Sequence, residues 1–423
     1  MPFTELQNEL NQRAALGLLR QRSMLQSAQS PHIVVDSKSY LSFCSNDYLG
    51  LAQHPQLVLA LQQGAEQYGV GAGAAHLVSG HFSPHHQLEL ELAAFINKPA
   101  ALLFSTGYMA NLGVVQALVG KDDTVFADKF NHASLNDAML LSRATVKRYH
   151  HNDMTQLAQL LKQANGHGKY TAPDAESRHA RFPLSSSPPE GERDRVSLRE
   201  SHVKCGRKLV ITDAVFSMNG DFAPLPELLT LCEQHDAWLL IDDAHGFGVL
   251  GEQGRGSLSY FGISSKRIIY MGTLGKAAGV FGAFVAAEQI VIDTLVNHAR
   301  SYIYTTATPP ALASALLASL RLIANGDALR AHLQSLIAQL RSGLRGLPWT
   351  LMPSATAIQP LLVGDNQAVL NLSGGLRERG IWIAAIRPPT VPQGTARLRI
   401  TLSAAHSVAD VTRLIEALHE LAA

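Results

Sequence analysis

Lys276 is the single charged residue in MGTLGKAAGV (271–280), and the chain stays apolar or glycine from Ala277 to Ala287. An ammonium in such surroundings is costly. Burial lowers its pKa and frees the amine as a nucleophile. Amine nucleophiles form imines with carbonyls, including the aldehyde of pyridoxal 5′-phosphate (PLP). That cofactor asks for two more partners. A carboxylate must keep its ring nitrogen protonated, and Asp242 in AWLLIDDAHG (237–246) is the candidate. Its phosphate suits a turn that opens a helix, the form of STGYMANLG (105–113) with Gly107 and Tyr108.

Each residue also has an ordinary reading. A lysine after a strand is commonly solvated or paired, D-x-x-H at 242–245 could be a metal pair or plain structure, and His132 could be a turn histidine. Their common position after apolar runs is what joins them. Strands are expected at ALLFS (101–105), TVFAD (124–128), TVKRY (145–149), KLVITDAVF (208–216), AWLLIDD (237–243), RIIYM (267–271) and GAFVAA (282–287). Helical stretches lie between them, so βαβ units and a mainly parallel sheet follow. Ligands of open α/β sheets sit beyond the carboxyl ends of strands. Gly107, His132, Ser217, Asp242 and Lys276 all fall there.

Elsewhere the sequence predicts an amphipathic helix at about 3–25, a hairpin within 33–51, and a helix at 54–68. Long helices after about 290 lead to a smaller α+β region with runs at 358–363, 381–386 and 396–402, closing on a helix. The expected organisation is an N-terminal segment (1–50), a large α/β domain (51–290) and a C-terminal α+β domain (291–423). Residues 164–207, rich in proline, serine and mixed charge, read as an exposed insertion.

Composition narrows the function. Of 423 residues, 46% are hydrophobic and 16% charged, with a formal charge of +1, so nothing favours nucleic acid or a membrane surface. Three scattered cysteines argue against a disulfide framework or zinc site and fit a reducing cytoplasm. The G-x-G-x-x-A at 69–74 follows a helical stretch, not a strand, so it is no dinucleotide fingerprint. His81, His85, His86 and His150–His151 suggest a metal, yet no carboxylate or cysteine completes a set at usual spacing; turn and cap roles are expected, and no metal.

The ordered stretches SNDYLGL (45–51), STGYMANLG, DKFNHASLNDA (128–138), TDAVFSMNGDFAPL (212–225), IDDAHGFGVLGEQGRG (241–256), GTLGKAAG (272–279), IYTTATPP (303–310) and RPPTVPQGTARLRITLSAAH (387–406) resemble the α-oxoamine synthases. These are fold-type-I PLP enzymes that condense an amino acid with an acyl thioester. The likeness spans nearly the whole chain outside the insertion. AIQPLLVGDNQAVL and AIRPPTVPQGTARLRITLSAAH are most similar to the branch serving biotin biosynthesis, which joins L-alanine to a pimeloyl group. Siblings make 5-aminolevulinate, 2-amino-3-ketobutyrate or 3-ketosphinganine.

The resemblance implies that Lys276 holds PLP covalently and later takes the alanine α-proton. Asp242 would pair with the ring nitrogen, and His245 and Ser217 would face the phenolic oxygen. His132 would stack on the ring and serve catalysis. Backbone at Gly107 and Tyr108 with the Thr273 hydroxyl would bind the phosphate, and Thr306 would reach it from the neighbouring subunit of a homodimer. Arg20, Asn46, Arg387 and Thr390 would line the substrate side, with Arg387 taking a carboxylate. The thioester carrier stays open between CoA and an acyl-carrier protein. Ala75 and His76 depart from the family's glycine- and serine-rich patch.

Overall fold

A computed structural model describes residues 2–165 and 206–423. The expected insertion at 164–207 therefore lies, apart from its ends, outside the described residues. The strands in chain order are β1 (His32–Val35), β2 (Lys38–Ser42), β3 (Ala100–Phe104), β4 (Thr124–Asp128), β5 (Thr145–Tyr149), β6 (Lys208–Asp213), β7 (Trp238–Asp242), β8 (Ile268–Thr273), β9 (Ala283–Ala287), β10 (Thr350–Leu351), β11 (Ile358–Gly364), β12 (Ile381–Trp382), β13 (Ala384–Ile386) and β14 (Ala396–Thr401).

Seven of them form one sheet in the order β3-β9-β8-β7-β6-β4-β5. From β8 to β5 every pairing is parallel, while β9 runs antiparallel to both neighbours. The inner strands read as continuous apolar runs because both faces are covered. Val210, Leu239 and Ile241 pack into one core, and Leu209, Ile211 and Leu240 into the core on the other face. The edge strand β5 is mostly exposed and carries Lys147 and Arg148, which blunts edge pairing.

Helices supply the covering layers. The first five are α1 (Thr4–Ala15), α2 (Pro55–Tyr68), α3 (Ser83–Ile96), α4 (Gly107–Leu118) and α5 (Ala133–Ser142). Each of α4 and α5 starts directly after a strand and its turn. Thr106 caps α4 by accepting from the Met109 amide at 3.1 Å, and His132 caps α5 by accepting from the Ser134 amide at 3.3 Å.

A four-stranded antiparallel sheet, β10-β11-β14-β13, forms the C-terminal part. The β1–β2 hairpin turns at Asp36 and Ser37, with φ of 48° and 63°, as a tight two-residue hairpin requires. Its partner is distant in sequence: β12 adds to β2 in parallel. The run expected at 381–386 is accordingly broken at Ile383. Its first half pairs with β2 and its second with β14.

The expected helix over 3–25 stops at Ala15. Gly17 takes φ of 63°, and Leu25 instead bridges to Val35. This short helix buries none of its residues. Among the described residues no single helix is long and apolar enough to cross a membrane. Of two 20-residue stretches without a charged residue, 101–120 divides into β3 and α4, and 301–320 falls mainly in buried helix.

Candidate active site

Asp242 ends β7 and is 4% exposed. Its Oδ2 accepts from Asn111 Nδ2 at 2.8 Å and its Oδ1 from the Ala244 amide at 3.0 Å. Asn111 sits on α4, one turn in, where its amide also donates to Ser134 Oγ at 2.9 Å. Ser134 Oγ lies 2.7 Å from His132 Nδ1. That hydroxyl accepts from Asn111, so its own proton goes to His132 Nδ1 and the imidazole proton stays on Nε2. A chain of hydrogen bonds thus runs from the buried acid through Asn111 and Ser134 to His132. Burial holds the His132 pKa below the ordinary value; Asp242 opposes this and Lys276 adds to it.

Lys276 lies in the turn between β8 and β9. Burial lowers its pKa to about 8, against the pull of Asp242 and Asp213. Its turn is pressed onto the backbone of residues 51–52. A Cβ on Gly279, whose φ is 70°, would meet Ala52 N and Leu51 C at 2.7 Å. That seat is itself held by Asp47, whose carboxylate accepts from the Leu51 and Ala52 amides at 2.8 and 3.0 Å.

Thr273 ends β8 and donates from Oγ1 to the Ala244 carbonyl at 3.1 Å. Its methyl closes on α4, and a Cβ at Gly107 would approach it to 2.8 Å. Glycine is what lets the helix start so near the strand. The amides of Gly107 and Tyr108 belong to the first turn of α4, ahead of any intrahelical acceptor. Tyr108 is partly exposed, and its hydroxyl donates to Asp137 on α5.

His245 Nδ1 lies 2.5 Å from the Tyr48 hydroxyl. Burial, then Lys276 and Arg399, keep its pKa well below the ordinary value, so the ring is neutral. Ser217 is half-buried, and its carbonyl accepts from Arg399 Nε at 2.6 Å. Asn46 Oδ1 accepts from Arg399 Nη1 at 3.1 Å. Thr306 is exposed between two helices, beside Tyr304, which is 73% exposed.

Arg20, Arg387 and Thr390 form a separate group. Arg20 Nη2 donates to Thr390 Oγ1 at 2.9 Å, and Arg387 donates to the Gly17 carbonyl. These bonds join the N-terminal segment to the C-terminal part. The arginine nearest the Lys276 group is instead Arg399, buried on β14. Sequence reasoning passed over it, although ARLRITL places Arg397 and Arg399 two apart on one strand face. Asn111, Asp213 and Tyr48 were missed as well, each inside a stretch whose pattern was noted. Asp213 faces Asp242 across the β6–β7 register and accepts from the His132 amide at 2.7 Å.

Among the histidines, His85 plays the expected cap role. Its Nδ1 accepts from the Phe82 amide at 3.1 Å, and its Nε2 lies 2.9 Å from the Thr308 carbonyl. His151 sits between Asp128 and Asp221, at 3.1 and 2.6 Å. His81 and His86 differ from expectation: a carboxylate, Glu89, does converge on them. The helix brings it there one turn after His86, a proximity that a search for usual ligand spacings overlooks.

The donor set fits PLP. A buried carboxylate held from behind suits a protonated ring nitrogen, a lysine of lowered pKa suits its aldehyde, and a helix N-terminus with Thr273 suits its phosphate.

The chain matches the family model described as aminotransferase class I and II over residues 38–418. It is 57% identical to the 8-amino-7-oxononanoate synthase of Nitrosospira multiformis, across 98% of this chain and 95% of that one. Among solved structures, serine palmitoyltransferase from S. paucimobilis with bound PLP–myriocin superposes with a TM-score of 0.84 at 26% identity, covering 99% and 96% of the two chains. The 8-amino-7-oxononanoate synthase of Francisella tularensis does so at 0.71 and 30% identity, covering 90% and 97%. Fold, site and likeness agree, and the chain belongs to the 8-amino-7-oxononanoate synthases among the class I and II aminotransferases.

Proposed function

We propose that the chain condenses L-alanine with a pimeloyl thioester to give 8-amino-7-oxononanoate, CO₂ and the free thiol. The carrying observation is structural: Lys276, in the turn that follows β8, shares one site with the carboxylate of Asp242, which Asn111 and the Ala244 amide brace. When bound, PLP supplies an aldehyde for amines and a ring that draws electrons from the amino-acid α-carbon.

Lys276 is the residue that would hold the cofactor, and its amine would serve as the base for the alanine α-proton. An amine with a pKa of about 8 is neutral in a usable fraction near pH 7. Asp242 would keep a proton on the ring nitrogen, and Asn111 holds Asp242 in place. His132, neutral with its proton on Nε2, would lie against the ring and donate to the thioester carbonyl, where negative charge grows during acyl transfer. Gly107, Tyr108 and Thr273 would hold the phosphate, and His245 and Ser217 would face the phenolic oxygen.

Two carboxylates must be bound, and two arginine groups are available. Arg399, buried beside Asn46, takes the amino-acid carboxylate. Arg20 and Arg387 form no ion pair among the described residues. Together with Thr390 they suit the far carboxylate of the pimeloyl group.

The reading includes a homodimer in the cytoplasm. Thr306 and Tyr304 are exposed, as are Val70 and Val78 at 85% and 80%, which supports a partner covering them. Free Cys44 and Cys232 fit a reducing compartment.

Borohydride reduction, proteolysis and mass spectrometry test the central assignment. The cofactor mass is expected on Lys276, and Lys276→Ala is expected to lose turnover. A label on another residue, or wild-type turnover in that variant, overturns it. Assays with L-alanine against glycine, each with pimeloyl-CoA, test the substrate pair.

A further inference from the structure

We infer that His81, His86 and Glu89 form a binding site for a zinc-type divalent cation, outside the catalytic site. One donor atom from each lies within 4.8 Å of the others. His81 lies two residues before α3, while His86 and Glu89 stand three apart on it, so they share one helix face. Two imidazoles and a carboxylate are a common ligand set for zinc.

The arrangement behind these donors carries the inference. A metal-bound histidine usually donates its second ring N–H to an acceptor, and a metal-bound carboxylate usually accepts a further hydrogen bond. Both features are present. His81 Nδ1 lies 3.0 Å from His76 Nδ1. His76 is buried and stacked on Tyr302, with ring centroids 5.2 Å apart. With the His81 proton on Nδ1, His76 accepts it and the His81 Nε2 lone pair is free. That Nε2 lies 3.9 Å from Glu89 Oε2. The other Glu89 oxygen, Oε1, accepts from the Leu103 amide at 2.9 Å.

His85 is excluded as a ligand because both of its nitrogens are engaged.

Donors around tetrahedral zinc stand about 3.4 Å apart, given bonds of about 2.0–2.1 Å. Exposed His81 and His86 can close the remaining distance by side-chain rotation. They also line an open cavity of about 630 Å³ with Tyr68, Phe82 and Ser314, from which water reaches a fourth position.

The test is calorimetric titration of Zn²⁺ into the PLP-loaded protein, its His86→Ala variant and its Glu89→Gln variant. His86 is exposed, and glutamine retains an oxygen for the Leu103 amide, so both variants keep the fold; circular dichroism checks this. The wild type is expected to bind one zinc per chain, with affinity falling about tenfold or more in each variant. Co²⁺ in place of Zn²⁺ is expected to give the visible absorption of a tetrahedral site, absent in both variants. A wild type that takes up no zinc overturns the inference. So does equal affinity and stoichiometry in all three proteins, because zinc would then sit elsewhere.

Discussion

Asn111 shows how a neutral side chain can control a charged one. Its amide bridges Asp242 and Ser134, and through Ser134 it sets the His132 tautomer. Asn111→Ala leaves Asp242 Oδ2 short of a donor inside the core, at a cost of about 1–3 kcal/mol. The expected result is weaker PLP retention on dialysis and a kcat lower by about tenfold or more. Lys276 offers a second check, in the cofactor-free protein. Its folded pKa, about 8, lies below the ordinary 10.5 because of burial. The unfolded chain therefore binds more protons between those values, and stability rises with pH across that window. Lys276→Met removes the effect. Its advantage in denaturation midpoint over wild-type apoprotein should be greatest below pH 8 and shrink towards pH 10.5. Lys276 was legible in sequence because a lone charge in an apolar run is conspicuous. Arg399 was not, since its neighbour Arg397 looks the same and only burial beside Ser217 and Asn46 separates their roles.

Strands and helices were easier to read than their partners. Each inner strand is a run of buried apolar residues ending in a polar one, and that pattern is local. β4 and β5 fall where periodicity and turn signals put them. KLVITDAVF runs past its strand because Ala214 onward folds into a second, short bridge between Val215 and Phe222. The turn that carries Lys276 has a requirement invisible in sequence. Gly279 must lie against the 51–52 backbone in a left-handed conformation. Gly279→Ala is expected to destabilise the protein by about 2 kcal/mol or more. It should also lower PLP occupancy, read from absorbance and the urea midpoint.

Over the whole molecule, the first residues and the last domain cooperate. β1–β2 is completed by β12, and Arg20 and Gly17 bond to Thr390 and Arg387. Removing residues 2–22 deletes α1, which buries no residue, and should leave the fold in place. The expected result is a KM for the pimeloyl thioester raised about tenfold, as loss of a charged hydrogen bond implies, with the KM for alanine little changed. Equal rises in both would separate Arg20 from the acyl subsite. Sedimentation of the intact protein tests the proposed homodimer, for which a monomer mass is the contrary result. Read alone, the sequence determined the alternation of strands and helices, the lysine and acid that invite PLP, and the family likeness, because these rest on local pattern or on motif order. Only the tertiary structure decided which arginine lies in the site, which donors brace Asp242, and that Glu89 meets His81 and His86. Those facts depend on contacts between residues far apart in the chain or on opposite sides of a turn, and burial fixes them only after the chain has closed on itself.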